Sequence, residues 1–220
     1  MFDLDGTLVD SIRDIAAAVN DALARIAPET PPLGLAQIRS YVGDGASVLI
    51  ARSLETAGVA ARVEEVLPFY LEAYGRHLLD STTFYPGVLE ALDTLADRTL
   101  TVLTNKAGDL SRQLLTGMGA AHRFARIWGG GDVPSKKPDP QGLVRLMAEL
   151  GAGADETAMV GDSPVDVATG RAAGVLSVGV TYGLDPRGVV SSRPDALLDD
   201  LRDLPGLLQR FAATPAPGPA

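Results

Sequence analysis

The chain opens on two carboxylates one residue apart, Asp3-Leu4-Asp5-Gly6-Thr7. An extended backbone turns Asp3 and Asp5 to the same side, and Gly6 then lets the chain turn away. Such a pair can serve catalysis, although Asp-x-Asp-Gly also occurs in calcium loops and ordinary turns. Three more polar clusters follow. Val102-Leu103-Thr104-Asn105-Lys106 ends an apolar run in a hydroxyl, an amide and an ammonium, which is also how a polar strand end leads into a helix cap. Lys136-Lys137-Pro138-Asp139-Pro140 places two lysines in a stiff loop, and its plain reading is solvated surface charge. Gly161-Asp162-Ser163-Pro164-Val165-Asp166 reads equally as an N-cap with proline in the first helical turn.

The elements around these clusters weigh against reading each one alone. Ile12, Ile15, Ala16, Val19, Leu23 and Ile26 recur at helical spacing, with a stop near Pro28. Helical patterns return at 48–54 and at 63–79, where Pro68 predicts a kink or a break. Residues 12–84 thus read as all-helical. From Pro86 the pattern alternates. Apolar, β-branched runs at 100–104, 127–128, 157–161 and 176–180, with a short edge element at 196–198, are separated by helices through Leu89, Leu92 and Leu95, through Leu110, Leu114 and Leu115, at 140–150, and around Arg171 and Ala172. Alternation of this kind predicts an α/β fold with a doubly wound parallel sheet. All four clusters then fall at the carboxyl edge of that sheet, where such folds bind ligands, and they should converge. Converging carboxylates repel one another unless a divalent cation sits among them, and hard oxygen ligands suit Mg²⁺. A lysine and a hydroxyl would complete a phosphate cradle.

Composition narrows the classes further. The net charge of −9 disfavours nucleic acid and anionic membranes as partners. No apolar run reaches the roughly 18 residues a bilayer span needs, and no targeting segment is visible. With no cysteine in the chain, disulfides and thiolate metal sites are excluded, and the expected compartment is the cytoplasm. Of 19 basic residues only Lys106, Lys136 and Lys137 are lysine, and all three stand in the clusters above. Oligomeric state is not legible. The tail from Thr214, in which proline alternates with alanine and glycine, is expected to be disordered.

In the order and spacing of DLDGT, Thr104, Lys137 before proline, and GDxxxD, the chain resembles the haloacid dehalogenase superfamily over residues 1 to about 205. The resemblance implies a Rossmann-like core at 1–11 and 85–213 with an inserted α-helical cap at 12–84. It implies a phosphatase or phosphomutase, because the dehalogenases themselves lack a carboxylate at the position of Asp5. Asp3 would then be the nucleophile and Asp5 the acid and base. Mg²⁺ would be held by the Asp3 carboxylate, the Asp5 carbonyl and Asp162, with Asp166 ordering its water shell. Thr104, Lys137 and the backbone amides of Leu4, Asp5 and Asn105 would hold the phosphoryl oxygens. Lys106 and Lys136 are read as contributors to the local field. A narrower similarity, to phosphatases of this superfamily that act on 2-phosphoglycolate, lies in Tyr41-Val42-Gly43-Asp44-Gly45, Thr104-Asn105-Lys106, Gly130-Gly131-Asp132-Val133 and Thr181-Tyr182-Gly183. It implies a small phosphomonoester substrate, with Gly43 and Arg39 in the cap beside the leaving group. Amino-sugar phosphates, nucleotides and pyrophosphate are the rival substrates. A phosphoacceptor receiver domain is the non-enzymatic alternative, disfavoured by motif order and by the helical insertion. The family has several apolar residues ahead of the first motif where this chain has Met1 and Phe2, so either an upstream start or a clipped, less stable first strand is expected.

Overall fold

The computed structural model describes residues 1–212; the tail expected to be disordered lies outside the described residues. The chain runs β1 (Val9–Asp10), α1 (Ile12–Ile26), α2 (Leu35–Arg39), α3 (Ala46–Ala57), α4 (Val63–Arg76) and β2 (Thr83–Phe84). It continues α5 (Val88–Thr94), β3 (Thr101–Ala107), α6 (Gly108–Gly117), β4 (Arg126–Gly130), α7 (Gln141–Leu150) and β5 (Ala158–Gly161). The last elements are α8 (Pro164–Ala173), β6 (Leu176–Val180), α9 (Pro186–Ser191), β7 (Ala196–Leu198) and α10 (Leu204–Ala212).

The expected α/β architecture is present. β3 pairs with β4, β5 with β6, and β6 with β7, all parallel. Residues 1–3 join the two halves, for Phe2 bridges in parallel to Val102 on one side and Val160 on the other. Backbone bonds of 2.9 Å run from Phe2 N to Thr101 O, Leu103 N to Phe2 O, Asp3 N to Val160 O and Val160 N to Met1 O. The sheet order is therefore β4, β3, the N-terminal segment, β5, β6, β7. Asp3 emerges at its centre, where the crossover direction reverses and parallel sheets open a crevice. Alternation along β3 and β5 sends Val102 and Val160 into the main core, and Leu103 and Met159 into a smaller cluster with Leu143, Leu146, Met147 and Val175 on the opposite face.

Helices form where apolar spacing meets a suitable cap. α1 buries Ile12, Ile15, Ala16, Val19 and Leu23 on one stripe. α8 starts at Ser163 with Pro164 in its first turn, and the Asp166 carboxylate accepts from Ser163 N at 3.2 Å. α4 runs on through Pro68, so of the kink or break expected there the break does not occur. Pro68 lies in the second turn, so one backbone bond is lost, and the buried face of Val66, Tyr70, Ala73 and Tyr74 holds the helix together. The 12–84 stretch also ends differently from expectation: Thr83–Phe84 is extended and pairs antiparallel with Val9–Asp10. β-Branched and aromatic residues favour that geometry. The helical segment thus leaves and rejoins the sheet through adjacent strands. Buried Asp14 ties the return, accepting from Ser81 N, Thr82 N and Thr82 Oγ1 at 3.0, 2.9 and 2.7 Å. No helix among the described residues is long and apolar enough to cross a membrane.

Candidate active site

Four strand ends deliver the site. The chain leaves Asp3 through a tight loop in which Gly6 N donates to Val9 O at 2.9 Å. Gly6 has φ +88°, and a Cβ there would lie 2.2 Å from Asp162 Oδ2, so the first and fourth motifs touch because this residue is glycine. β3 carries Thr104, Asn105 and Lys106 within the strand itself, slightly beyond the end expected for it. Asp162 follows β5, and Asp166 sits one turn into α8. Lys137 comes from the loop ahead of α7.

Asp3, Asp162 and Asp166 each place one carboxylate oxygen within 4.8 Å of the others, and all three are buried. Lys137 Nζ stands among them, 2.8 Å from Asp3 Oδ1 and 2.6 Å from Asp166 Oδ1. Asp166 also accepts from Ser163 Oγ at 2.6 Å. Asp162 accepts from Thr7 Oγ1 at 3.1 Å and from Leu184 N at 2.7 Å. Burial pushes the Asp3 carboxyl up to about 6, although Lys137 pulls it back. Burial, with Asp166 and Asp3 alongside, raises Asp162 well above the ordinary carboxylate range. For Lys137 burial works downward, but Asp166 and Asp3 outweigh it and the ammonium is held more firmly than usual.

These residues fit a hard divalent cation. Asp3, Asp162 and Asp166 are hard oxygen donors, all buried, and the Lys137 ammonium, 2.8 Å from Asp3 Oδ1 and 2.6 Å from Asp166 Oδ1, balances one of their three charges. A cluster in that state is short of positive charge, which a hard divalent cation supplies.

Above this cluster opens a cleft of about 510 Å³ between the sheet edge and the helical segment. Its floor carries Asp3, Asp5, Thr104, Asn105, Lys106 and Asp162. Lys137 and Asp166 lie behind the floor. Asp5 accepts from Ser11 Oγ at 2.5 Å and from Lys106 Nζ at 3.0 and 3.1 Å. Lys106 also donates to Tyr74 Oη, and burial and Asp5 keep that phenol well above its ordinary pKa. Asn105 spends its side chain as a clamp: Nδ2 donates to Gly43 O and Lys137 O, and Oδ1 accepts from Lys137 N, each at 2.9 Å. Arg39 and Gly43 both line the cleft. Arg39 Nε donates to Leu184 O at 3.0 Å and Nη2 to Gly183 O at 2.5 Å. Ser11 and Tyr74 were not visible as site residues, since Ser11 only precedes the helical pattern of α1 and Tyr74 lies within that of α4.

The fold and the buried acid–lysine cluster define a hydrolase class, and the chain belongs to the haloacid dehalogenase-like hydrolase family, whose model matches residues 1–180. Within that family it is a phosphatase resembling the phosphoglycolate phosphatases. It is 39% identical over 230 residues to the phosphoglycolate phosphatase of Pseudomonas fluorescens, covering 100% of this chain and 83% of that protein. It is 38% identical over 232 residues to the phosphoglycolate phosphatase of Rhodospirillum rubrum, covering 98% and 95%. A solved structure from Haemophilus somnus, described as a predicted phosphoglycolate phosphatase, superposes with a TM-score of 0.88 at 31% identity, covering 94% of this chain and 95% of that one.

Proposed function

We propose that the enzyme is a Mg²⁺-dependent phosphatase that hydrolyses 2-phosphoglycolate to glycolate and phosphate through an aspartyl phosphate on Asp3. The observation that carries this reading is the placement of Asp3, clustered with buried Asp162 and Asp166, on the floor of a cleft that Asp5 also lines. An Asp3 carboxylate oxygen attacks phosphorus, and the bond to the ester oxygen breaks as Asp5 gives that oxygen its proton. Asp5 then takes a proton from water, whose oxygen attacks phosphorus and releases the Asp3 carboxylate. Thr104, Lys137 and the amides of Leu4, Asp5 and Asn105 serve the phosphoryl oxygens, Lys137 through the field it sets up behind Asp3. Asp3, Asp162 and the Asp5 carbonyl would hold Mg²⁺, with Asp166 ordering its water, and the ion supplies positive charge to the phosphoryl group and its nucleophile.

The helical segment at 12–84 acts as a cap domain on a core of 1–11 and 85–213. Two contacts support this: Gly43 O receives the Asn105 amide, and Arg39 reaches the carbonyls that follow β6. The similarity to phosphoglycolate phosphatases supports the substrate, and a core that grips only phosphate leaves discrimination to the cap. Phosphate release is measured over 2-phosphoglycolate, amino-sugar phosphates, nucleotides and pyrophosphate, with Mg²⁺ and with chelator. Mg²⁺-dependent release with the highest kcat/KM for 2-phosphoglycolate is expected. A rival preferred by about 100-fold refutes the substrate, rearranged sugar phosphate without release indicates a mutase, and undiminished activity in chelator refutes the metal.

A further inference from the structure

The cations that reach the cleft differ in what already holds them. Arg52 is paired with Asp44 at 2.8 Å, and Arg39 is drawn onto the carbonyls of Gly183 and Leu184. Lys137 is committed to Asp3 and Asp166 behind the floor. Lys106 lines the cleft, and its ammonium stands against Asp5, the residue that serves the leaving group in the reaction above. We propose that Lys106 is a specificity residue: its ammonium receives a carboxylate borne on the carbon next to the ester oxygen, so that the enzyme selects phosphate esters of 2-hydroxy acids. This rests on the reaction proposed above and names the side chain that chooses its substrate.

Distances carry the assignment. Lys106 Nζ lies 3.0 and 3.1 Å from the two Asp5 oxygens. A leaving oxygen hydrogen-bonded to Asp5 is therefore within two hydrogen-bond lengths, roughly 6 Å, of that nitrogen. In a 2-hydroxy acid the carboxyl carbon is two bonds from the ester oxygen, and its oxygens can span the remaining gap. An ammonium has three donors, and here they go to both Asp5 oxygens and to Tyr74 Oη. When Asp5 turns one oxygen toward the leaving group, a Lys106 donor is released in a largely buried place. A substrate carboxylate takes it up in a charge-assisted bond, whereas a neutral leaving group offers it at most a weaker, uncharged acceptor.

Tyr74 holds the ammonium in that direction. Nζ sits 4.2 Å from the centre of its ring, and Tyr70 stacks against the same ring at 5.8 Å and 4°. Both tyrosines belong to α4, so the helical segment fixes the selecting charge although the lysine comes from β3. A lysine serving Asp5 alone would influence all substrates alike, and that difference makes the assignment testable.

The probes are 2-phosphoglycolate and its amide, 2-phosphoglycolamide, which has nearly the same shape without the charge. Wild type is expected to favour the acid in kcat/KM by roughly 10- to 100-fold, the range of a hydrogen bond to a charged group. Lys106→Met should bring the acid-to-amide ratio to within about threefold of unity, and Lys106→Arg should restore part of it. Tyr74→Phe, which keeps the ring and loses the hydroxyl, should lower the ratio less, and it tests the assignment if Lys106→Met does not fold. Acid preference retained in Lys106→Met overturns the assignment and points to another cation. An equal fall for both substrates overturns it in favour of a role confined to Asp5. A wild-type enzyme that treats acid and amide alike overturns it too, while the comparison of 2-phosphoglycolate with its rival substrates decides the reaction separately.

Discussion

Replacing Asp3 with asparagine is expected to end phosphate release while making the metal-free protein more stable at neutral pH. The Asp3 carboxyl has an ordinary value of 3.8 and is pushed up to about 6 in the folded protein, chiefly by burial. An acid whose pKa is higher folded than unfolded binds protons preferentially in the native state. Its stabilising contribution is complete below 3.8 and is lost as the pH rises through about 6. That displacement corresponds to about 3 kcal/mol. Asparagine has no charge to desolvate, so the variant keeps what wild type loses. Urea unfolding of both proteins in chelator, at intervals from about pH 4 to 8, measures the difference. The gap in favour of Asp3→Asn should widen through the interval by about 3 kcal/mol, or about 6–12 °C in Tm for a chain of this size. Mg²⁺ should narrow it by stabilising wild type more. A gap that stays flat or closes with rising pH would falsify the electrostatic account of the site, whatever the activity of the variant.

Lys137→Met leaves Asp3 and Asp166 buried without their ammonium and should cost about 3–5 kcal/mol in chelator at pH 8, whereas a loss below about 1 kcal/mol would show that the pairing contributes little. Gly6→Ala forces a side chain into a left-handed turn, at about 1–2 kcal/mol, and drives its Cβ against Asp162, so a soluble variant with normal Mg²⁺ affinity contradicts the packing described. Asn105→Ala removes three hydrogen bonds between β3, the Lys137 loop and Gly43, worth about 3 kcal/mol together, and should lower kcat. Unchanged kcat and stability would show the clamp to be dispensable. Mg²⁺ binding near pH 6 should release protons, because Asp3 and Asp162 hold theirs above the ordinary range, and calorimetric heats that do not vary with buffer ionisation enthalpy would argue against it.

Much of the site was legible because its residues are local in sequence and its elements carry strong patterns. Asp3 and Asp5 flank the bend at Leu4 that opens a tight loop, and Asp162 and Asp166 stand on either side of the Ser163 cap of α8. The sheet that gathers them follows from alternating runs, and the 12–26 helix matches the spacing of its apolar residues. Contacts between distant segments were not legible. Asn105 meets Gly43 across 62 positions, and Arg39 meets Gly183 across 144. No periodicity encodes those encounters. Tyr74 falls within the 63–79 helical pattern, which assigns its side chain no role, and it is buried; only the arrival of Lys106 from β3 gives its hydroxyl a part in the site. At Pro68 the break, one of the two outcomes expected there, does not occur, since the buried face of α4 carries the helix through it.

Charge balance connects these features to one another. Asp3, Asp5, Asp162 and Asp166 gather around two ammoniums, Lys106 and Lys137, which leaves the cluster short of two positive charges. Burial makes such a deficit costly, and a protein has two ways to meet it: hold protons on the carboxyls, or bind a divalent cation. The raised Asp3 and Asp162 groups are the first remedy, and the grouped carboxylates of Asp3, Asp162 and Asp166 mark a place for the second. In the reaction proposed above Asp3 must ionise to act as the nucleophile, and the second remedy favours this, because a cation displaces the proton while stabilising the anion left behind. The two lysines then divide the remaining work by position. Lys137, behind Asp3, answers to the core, and Lys106, beside Asp5 and under Tyr74, answers to the helical segment and so to the leaving group.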